Sequence, residues 1–206
     1  MNQTLLIIDA QQEIIDGNPE EGVVFNKEQL IKNINLLIKK AAEANVSVLF
    51  VRDSEVAGGV GSGFQVHNEI NVPSDPIFFD KTATNPFHGT NLLKHLKSQN
   101  IKHIVIAGCK TQHCIDTAVR TATVNGFDVT LVGDAHSTTD NDFLRAEQII
   151  NHHNDTLHGH YNVDHFSIVR NWWKTCIHHH MILTENSKTS LSAEACLSKT
   201  IEKRGI

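Results

Sequence analysis

Residues 104–117, Ile-Val-Ile-Ala-Gly-Cys-Lys-Thr-Gln-His-Cys-Ile-Asp-Thr, change hydrophobic period within a few positions. Ile104 to Ala107 is a continuous apolar run, the pattern of a strand buried on both faces. Gly108 breaks the run. From Gln112 onward Ile115, Ala118, Val119 and Ala122 recur at helical spacing, and Gly126 stops the pattern. A strand covered on both faces belongs to a parallel sheet with helices on either side. The remainder of the chain repeats the alternation. Thr4–Ile8, Val46–Val51, Ile77–Phe79, Val129–Val132 and Phe166–Val169 read as further strands. Between them, Leu30, Ile31, Ile34, Leu37, Ile38 and Ala41 form one helical stripe, Leu92, Leu93 and Leu96 a second, and Phe143, Ala146, Ile149 and Ile150 a third. Asn26 with Gln29, Thr90 and Asp140 are placed to cap these helices, and Asn45 to close the first. The expected fold class is α/β: a three-layer, doubly wound parallel sheet of Rossmann-like type.

With 206 residues, the chain suits one domain with a full core. The expected domain covers 1–170. The pattern degrades from Asn171, so 171–206 reads as a tail that either docks on the domain or on a partner subunit or is loose, its Trp172 and Trp173 favouring docking. A net charge of −5 without a basic stripe argues against nucleic acid as partner. No run reaches membrane-spanning length, and Leu5–Ile8 is too short for a signal peptide and is interrupted by Asp9. Cysteines at 109, 114, 176 and 196 do not form a disulfide scaffold, which points to a reducing, cytoplasmic location.

In an open parallel sheet, ligands bind beyond the carboxyl ends of the strands. Three reactive side chains fall there: Asp9, Lys81 and Cys114. The carboxylate can take a thiol proton, the ammonium can hold negative charge, and the cysteine can act as nucleophile. At the first turn of a helix and beside a lysine, Cys114 is expected to ionise more readily than a free thiol. The bland alternative for each is a polar strand end or a packed thiol. The loop at 54–63 is glycine-rich and lies after a strand, as a lid would.

Taken together, Leu-Leu-Ile-Ile-Asp-Ala-Gln at 5–11, Phe-Asp-Lys at 79–81, Asn-Pro-Phe-His-Gly-Thr at 85–90, Ala-Gly-Cys-Lys-Thr-Gln-His-Cys-Ile at 107–115 and Gly-Phe-Asp-Val-Thr-Leu-Val-Gly-Asp-Ala-His-Ser-Thr at 126–138 carry a resemblance. Over roughly residues 3–170, the chain resembles the isochorismatase-like cysteine hydrolases, which include nicotinamidases and N-carbamoylsarcosine amidase. The resemblance implies a strand order of 3-2-1-4-5-6 and a catalytic triad of Asp9, Lys81 and Cys114. It also implies a non-proline cis peptide between Cys109 and Lys110, with the Lys110 and Cys114 N–H groups as oxyanion hole. It makes the expected activity cleavage of a C–N bond in a small amide through a thioacyl-enzyme, by a homodimer or homotetramer. Gln11, Arg52, Phe64, Phe87 and Thr111 are the expected substrate contacts, Arg52 toward an anionic substrate group; the alternatives are a solvated or ion-paired Arg52, a helix-capping Thr111 and core packing for Phe64 and Phe87.

There is one departure from the nicotinamidases. They carry an Asp-x-His metal pair after the second strand, whereas this chain reads Arg52-Asp53-Ser54-Glu55. No metal and no cofactor are therefore expected. The histidines crowded at 152, 153, 158, 160 and 165 do not change that, since adjacent helical residues point apart. The alternative function is a non-catalytic or redox-sensing binding protein on the same fold.

Overall fold

A computed structural model describes residues 2–177. A seven-stranded sheet in the order β3-β2-β1-β4-β5-β7-β6 forms its centre. The strands are β1 (Gln3–Ile8), β2 (Ser47–Asp53), β3 (Ile77–Lys81), β4 (His103–Cys109), β5 (Asp128–Ser137), β6 (Tyr161–Asn162) and β7 (His165–Arg170). All neighbours pair parallel except β6 and β7. The expected sixth strand is β7, so the expected order holds. The two-residue β6, too short to announce itself by alternation, adds an antiparallel edge. The helices are α1 (Gln12–Asp16), α2 (Lys27–Glu43), α3 (Gly61–Phe64), α4 (Leu92–Ser98), α5 (Asp116–Val124) and α6 (Ala146–Leu157).

Every side chain of β1 is buried, and its period of two divides them between two cores. Leu5 and Ile7 join Val105, Ala107 and the α2 stripe of Leu30, Ile31, Ile34, Leu37, Ile38 and Ala41. Leu6 and Ile8 join Ile104, Ile106, Leu92, Leu96 of α4 and Ala118, Val119, Ala122 of α5. A continuous apolar run in sequence thus becomes the middle layer of three.

Several helix ends differ from expectation. Asn26 is left-handed at φ 53° and makes no side-chain cap, while Gln29 donates to Asn33 Oδ1 at 2.7 Å instead of closing a capping box. Asn33 is itself engaged with the Asp134 carbonyl. Asp140 does cap α6, accepting from the Ala146 N–H at 2.8 Å, but from six residues upstream. Phe143 therefore lies in the loop between them, 91% exposed, and not on the buried stripe. Gly108 does not end its strand: β4 runs on to Cys109.

Beyond β7, residues 171–177 pack on the α2 side of the sheet. Trp172 lies against that core, its N–H donates to Asp134 Oδ1 at 2.8 Å, and Lys40 Nζ donates to its carbonyl at 2.8 Å. Burial raises the Asp134 pKa, against the Trp172 hydrogen bond that lowers it. The remaining tail positions, with the His178–His180 run and the helix expected near Leu191 to Glu202, lie outside the described residues. No helix among the described residues is long and apolar enough to cross a membrane.

Candidate active site

The carboxyl ends of β1, β2 and β3 and the turn after β4 meet at one point. Asp9 follows β1 with φ 49°, a left-handed conformation that Asp tolerates better than most residues, and its N–H still donates to the Val51 carbonyl at 2.9 Å. The chain thus leaves the sheet sharply while the Asp9 side chain stays 1% exposed. Lys81 ends β3 and is equally buried. Its ammonium lies 3.0 Å from Asp9 Oδ2, 2.7 Å from Asp53 Oδ2 and 3.4 Å from Cys114 Sγ. Three N–H donors therefore meet three acceptors, the full capacity of a lysine.

Cys114 is carried by a π-helical turn, Thr111–Ile115, that precedes α5. The helical pattern in sequence begins correctly, but its first turn is wider than an α turn. The peptide between Cys109 and Lys110 is cis. Thr111, fully buried, is paired with His136 at 2.9 Å. His136 in turn lies 2.9 Å from Asn154 Oδ1, and the Asn154 amide donates to the Gly133 carbonyl. That last bond fixes the amide, so His136 donates from Nε2 and accepts the Thr111 hydroxyl at Nδ1. Burial pulls its pKa down to about 4, against the Asn154 hydrogen bond, and keeps the ring neutral. This buried relay ties the turn that bears Cys114 to β5 and α6. His136 was visible only as part of the 126–138 motif.

Electrostatics at the cluster reverse one expectation. Burial pushes the Cys114 thiol up to about 12, the Asp9 carboxylate pushes the same way, and Lys81 opposes them without winning. A helix terminus and a lysine favour thiolate, but a half-buried sulfur facing a carboxylate keeps its proton. Burial also raises Asp9, to about 6, against the Lys81 ammonium and the Cys114 hydrogen bond. Burial alone would lower Lys81; the Asp9 charge, with the hydrogen bonds to Asp53 and Asp9, outweighs it and holds the ammonium firmly protonated. The resting set is thus carboxylate, ammonium and thiol. Asp9 Oδ1 is buried with no hydrogen-bond partner among the described residues, which leaves it able to accept a proton.

Asp53 was not foreseen. Cross-strand register explains its place: Asp53 pairs with Lys81 and Arg52 with Asp80. Alternation sends Asp53 and Lys81 to the face of Val51 and Phe79, which is the Cys114 side, and Arg52 and Asp80 to the opposite face. Complementary charges at the ends of two adjacent strands were the available signal. The same alternation places Arg52 in its ion-paired alternative and not against substrate. It is held by Asp80 at 2.8 and 3.0 Å and by Gln65 at 3.1 Å, and lies 4.3 Å from the ring centroids of both Phe64 and Phe78. Three of its five N–H groups are thereby taken, on the face of the sheet opposite Cys114.

Gln11 is also committed to the protein. Fully buried, it donates to the carbonyls of Asp53 and Phe64 and accepts from the Asp53 N–H at 2.7 Å. It fixes the loop 54–64 and Asp53 to the end of β1, a scaffold task instead of a substrate contact. That loop is largely turned, with α3 at its end, and packs Phe64 inward. Phe87 is 9% exposed in the core shared with Cys114.

Asp9, Asp53 and Cys114 offer ligand atoms within 4.8 Å of one another, a spacing suited to a metal ion. The Lys81 ammonium stands within 3.4 Å of all three residues and fills the cation position, so these residues do not fit an additional divalent ion. The crowded histidines are spread over separate partners: His153 on the Ile149 carbonyl, His158 on the Val169 N–H, His165 on Asp128.

Comparison with known proteins bears on the family and the fold. The isochorismatase domain, as a family model, matches residues 3–153. The chain is 27% identical over 138 residues to the uncharacterised isochorismatase family protein YrdC of Bacillus subtilis, covering 65% of this chain and 72% of that one. It is 25% identical over 142 residues to a streptothricin hydrolase of Streptomyces noursei, covering 67% of this chain and 55% of that protein. A crystal structure of an isochorismatase family protein superposes with a TM-score of 0.74 at 27% identity, over 82% of this chain and 98% of that chain. N-carbamoylsarcosine amidase from Thermoplasma acidophilum shares the fold, with a TM-score of 0.63 at 19% identity over 84% and 97% of the two chains.

Proposed function

We propose that this chain, which belongs to the isochorismatase family, is a cysteine hydrolase that cleaves the C–N bond of a small amide through a thioacyl-enzyme. The observation that carries the reading is the convergence of Asp9, Lys81 and Cys114 at three strand ends, with the Cys114 proton facing a carboxylate able to take it. The family relatives named as a streptothricin hydrolase and an N-carbamoylsarcosine amidase support hydrolysis.

In this mechanism Asp9 takes the thiol proton as sulfur bonds to the carbonyl carbon. The developing oxyanion is met by the Lys110 and Cys114 N–H groups. Asp9, now a carboxylic acid, passes the proton to the leaving nitrogen, and the C–N bond breaks. Water then attacks the thioester. Asp9 takes its proton and returns it to sulfur as the acid departs. Lys81 keeps Asp9 in place and balances its charge through each transfer. A carboxyl raised to about 6 suits both duties, since catalytic groups work best with a pKa near the working pH. Phe64 and Phe87 are the proposed walls of the substrate pocket; Thr111, fully buried and tied to His136, holds the turn that bears Cys114 instead of touching substrate. The reading extends to a homodimer or homotetramer acting in the cytoplasm.

A screen of carboxamides, ureas and lactams with ammonia or amine release as readout tests the activity. Intact-protein mass spectrometry with a slow substrate should show one acyl adduct, on the peptide holding Cys114. Turnover with no adduct at any quench time, and full activity after Cys114 is blocked, would refute the covalent route.

The pH dependence follows from the cluster. The base form of Asp9 is required with Cys114 still a thiol, so kcat/KM should rise tenfold per pH unit below the acid limb and level off above it. The limb should fall near pH 6, not near the 3.8 of an ordinary aspartate, and no alkaline limb should appear before the region of the raised thiol. A rate still flat at pH 4.5 would mean that Asp9 is not the base.

A further inference from the structure

Counting the charges at the site gives an unequal sum. Asp9 and Asp53 bring two carboxylates, Lys81 one ammonium, and the Cys114 thiol none. Nearby cations are already committed. Arg52 is bidentate on Asp80, and Lys110 is paired with Glu21. Each of those pairs is neutral as a unit, and both cations are spent. Among the described residues, one negative charge at the nucleophile is left uncompensated. Its position is accessible: the Asp53 side chain is 22% exposed, against 1% for Asp9, and so it is the carboxylate that faces an entering molecule.

We propose that Asp53 is a specificity-determining residue, which makes the site select amides that are neutral or cationic near the scissile carbonyl and reject anionic ones. This rests on the cysteine hydrolase reading and names its substrate class. Coulomb repulsion is strong over a few ångströms in a partly desolvated site, where salt screens little. The overall charge of −5 acts in the same direction at longer range. Asp53 has a second consequence through Lys81: at 2.7 Å it is the ammonium's closest partner, and it holds the lysine between the two strands.

Alkylation of Cys114 reads the local charge without requiring turnover. Iodoacetamide is neutral and iodoacetate anionic, with the same reacting carbon type. Their rates at Cys114, resolved by peptide mass spectrometry at pH 8, form a ratio in which thiolate availability cancels. The same peptide in urea-denatured protein supplies the reference ratio. In the native wild type, iodoacetate should be disfavoured about tenfold or more beyond that reference. Asp53→Asn should recover most of the difference, and Asp53→Glu should keep it. A native ratio equal to the denatured reference overturns the proposal whatever the variants do. An unchanged ratio in a folded Asp53→Asn variant overturns it too, because the selectivity then has another source. If no amide is ever turned over, the hydrolase reading fails while this measurement stands, so the two failures are distinguishable.

Discussion

Cys114→Ala should fold normally and hydrolyse no amide that the wild type accepts, with turnover down by a factor on the order of 10^4 or more. Two features of the site separate loss of chemistry from loss of structure. The sulfur is only half-buried, at the edge of the α4/α5 core, so deleting it removes few contacts and should cost about 1 kcal/mol. Lys81 keeps two carboxylate partners when the sulfur is gone, so no buried charge is orphaned. Cys114→Ser should be nearly as inactive. The site already raises a thiol to about 12, and a hydroxyl starts far higher, beyond the reach of a carboxylate near 6. Circular dichroism matched to wild type, a Tm lower by only about 2–4 °C and no product above background are the expected results. Wild-type turnover by Cys114→Ala would remove the nucleophile and with it the hydrolase reading.

The same residue shows where sequence reasoning reached and where it stopped. Strand ends are legible because apolar runs stop at them, so Asp9, Lys81 and Cys114 could be placed near one another before any coordinates. Their protonation was not legible, because it depends on how much water each group loses and which atom it faces. A lysine and a helix start predicted a low thiol pKa; burial against Asp9 gives a high one. Arg52 and Asp53 make the point at smaller scale. They are neighbours in sequence, but the pleat sends one to each face of the sheet, and only the register with Asp80 and Lys81 tells which is which. Gln11 read as a loop residue beside the site, yet its three side-chain hydrogen bonds go to backbone groups more than forty positions away. Its partners are long-range, and no local pattern encodes them. Helix stripes were legible for α2, where the six stripe positions Leu30, Ile31, Ile34, Leu37, Ile38 and Ala41 are all buried. The stripe of Phe143, Ala146, Ile149 and Ile150 holds from Ala146 onward, but its first member lies in the preceding loop, because helical spacing to a residue says nothing about a loop that borrows the same period.

Gly108→Ala should be the most damaging single substitution near the site for stability. A glycine inside an apolar run reads as a strand breaker, but here the strand passes through it. Gly108 pairs with Ile8 across β1 and β4, with φ +124°, a region that residues with a Cβ rarely enter. An added Cβ would lie 1.9 Å from the Ile8 carbonyl oxygen and 2.8 Å from its backbone carbon and nitrogen. Those atoms are backbone in the central strand, so no rotamer change can relieve the overlap. The two strands must separate or the local backbone must change, and either disturbs Asp9 on one side and the Cys109–Lys110 segment on the other. Both the contact and the conformation oppose alanine, which places the cost at about 4 kcal/mol or more. For a domain of this size that is a fall in Tm of roughly 8–16 °C. Gly89→Ala is the matched control: its φ is +68°, but nothing lies within 4 Å of its added Cβ. It should show only the conformational cost, about 1 kcal/mol. Equal Tm values for the two variants would mean that the close approach of β1 and β4 at this register is absent, and the placement of Asp9 against Cys114 would lose its structural basis.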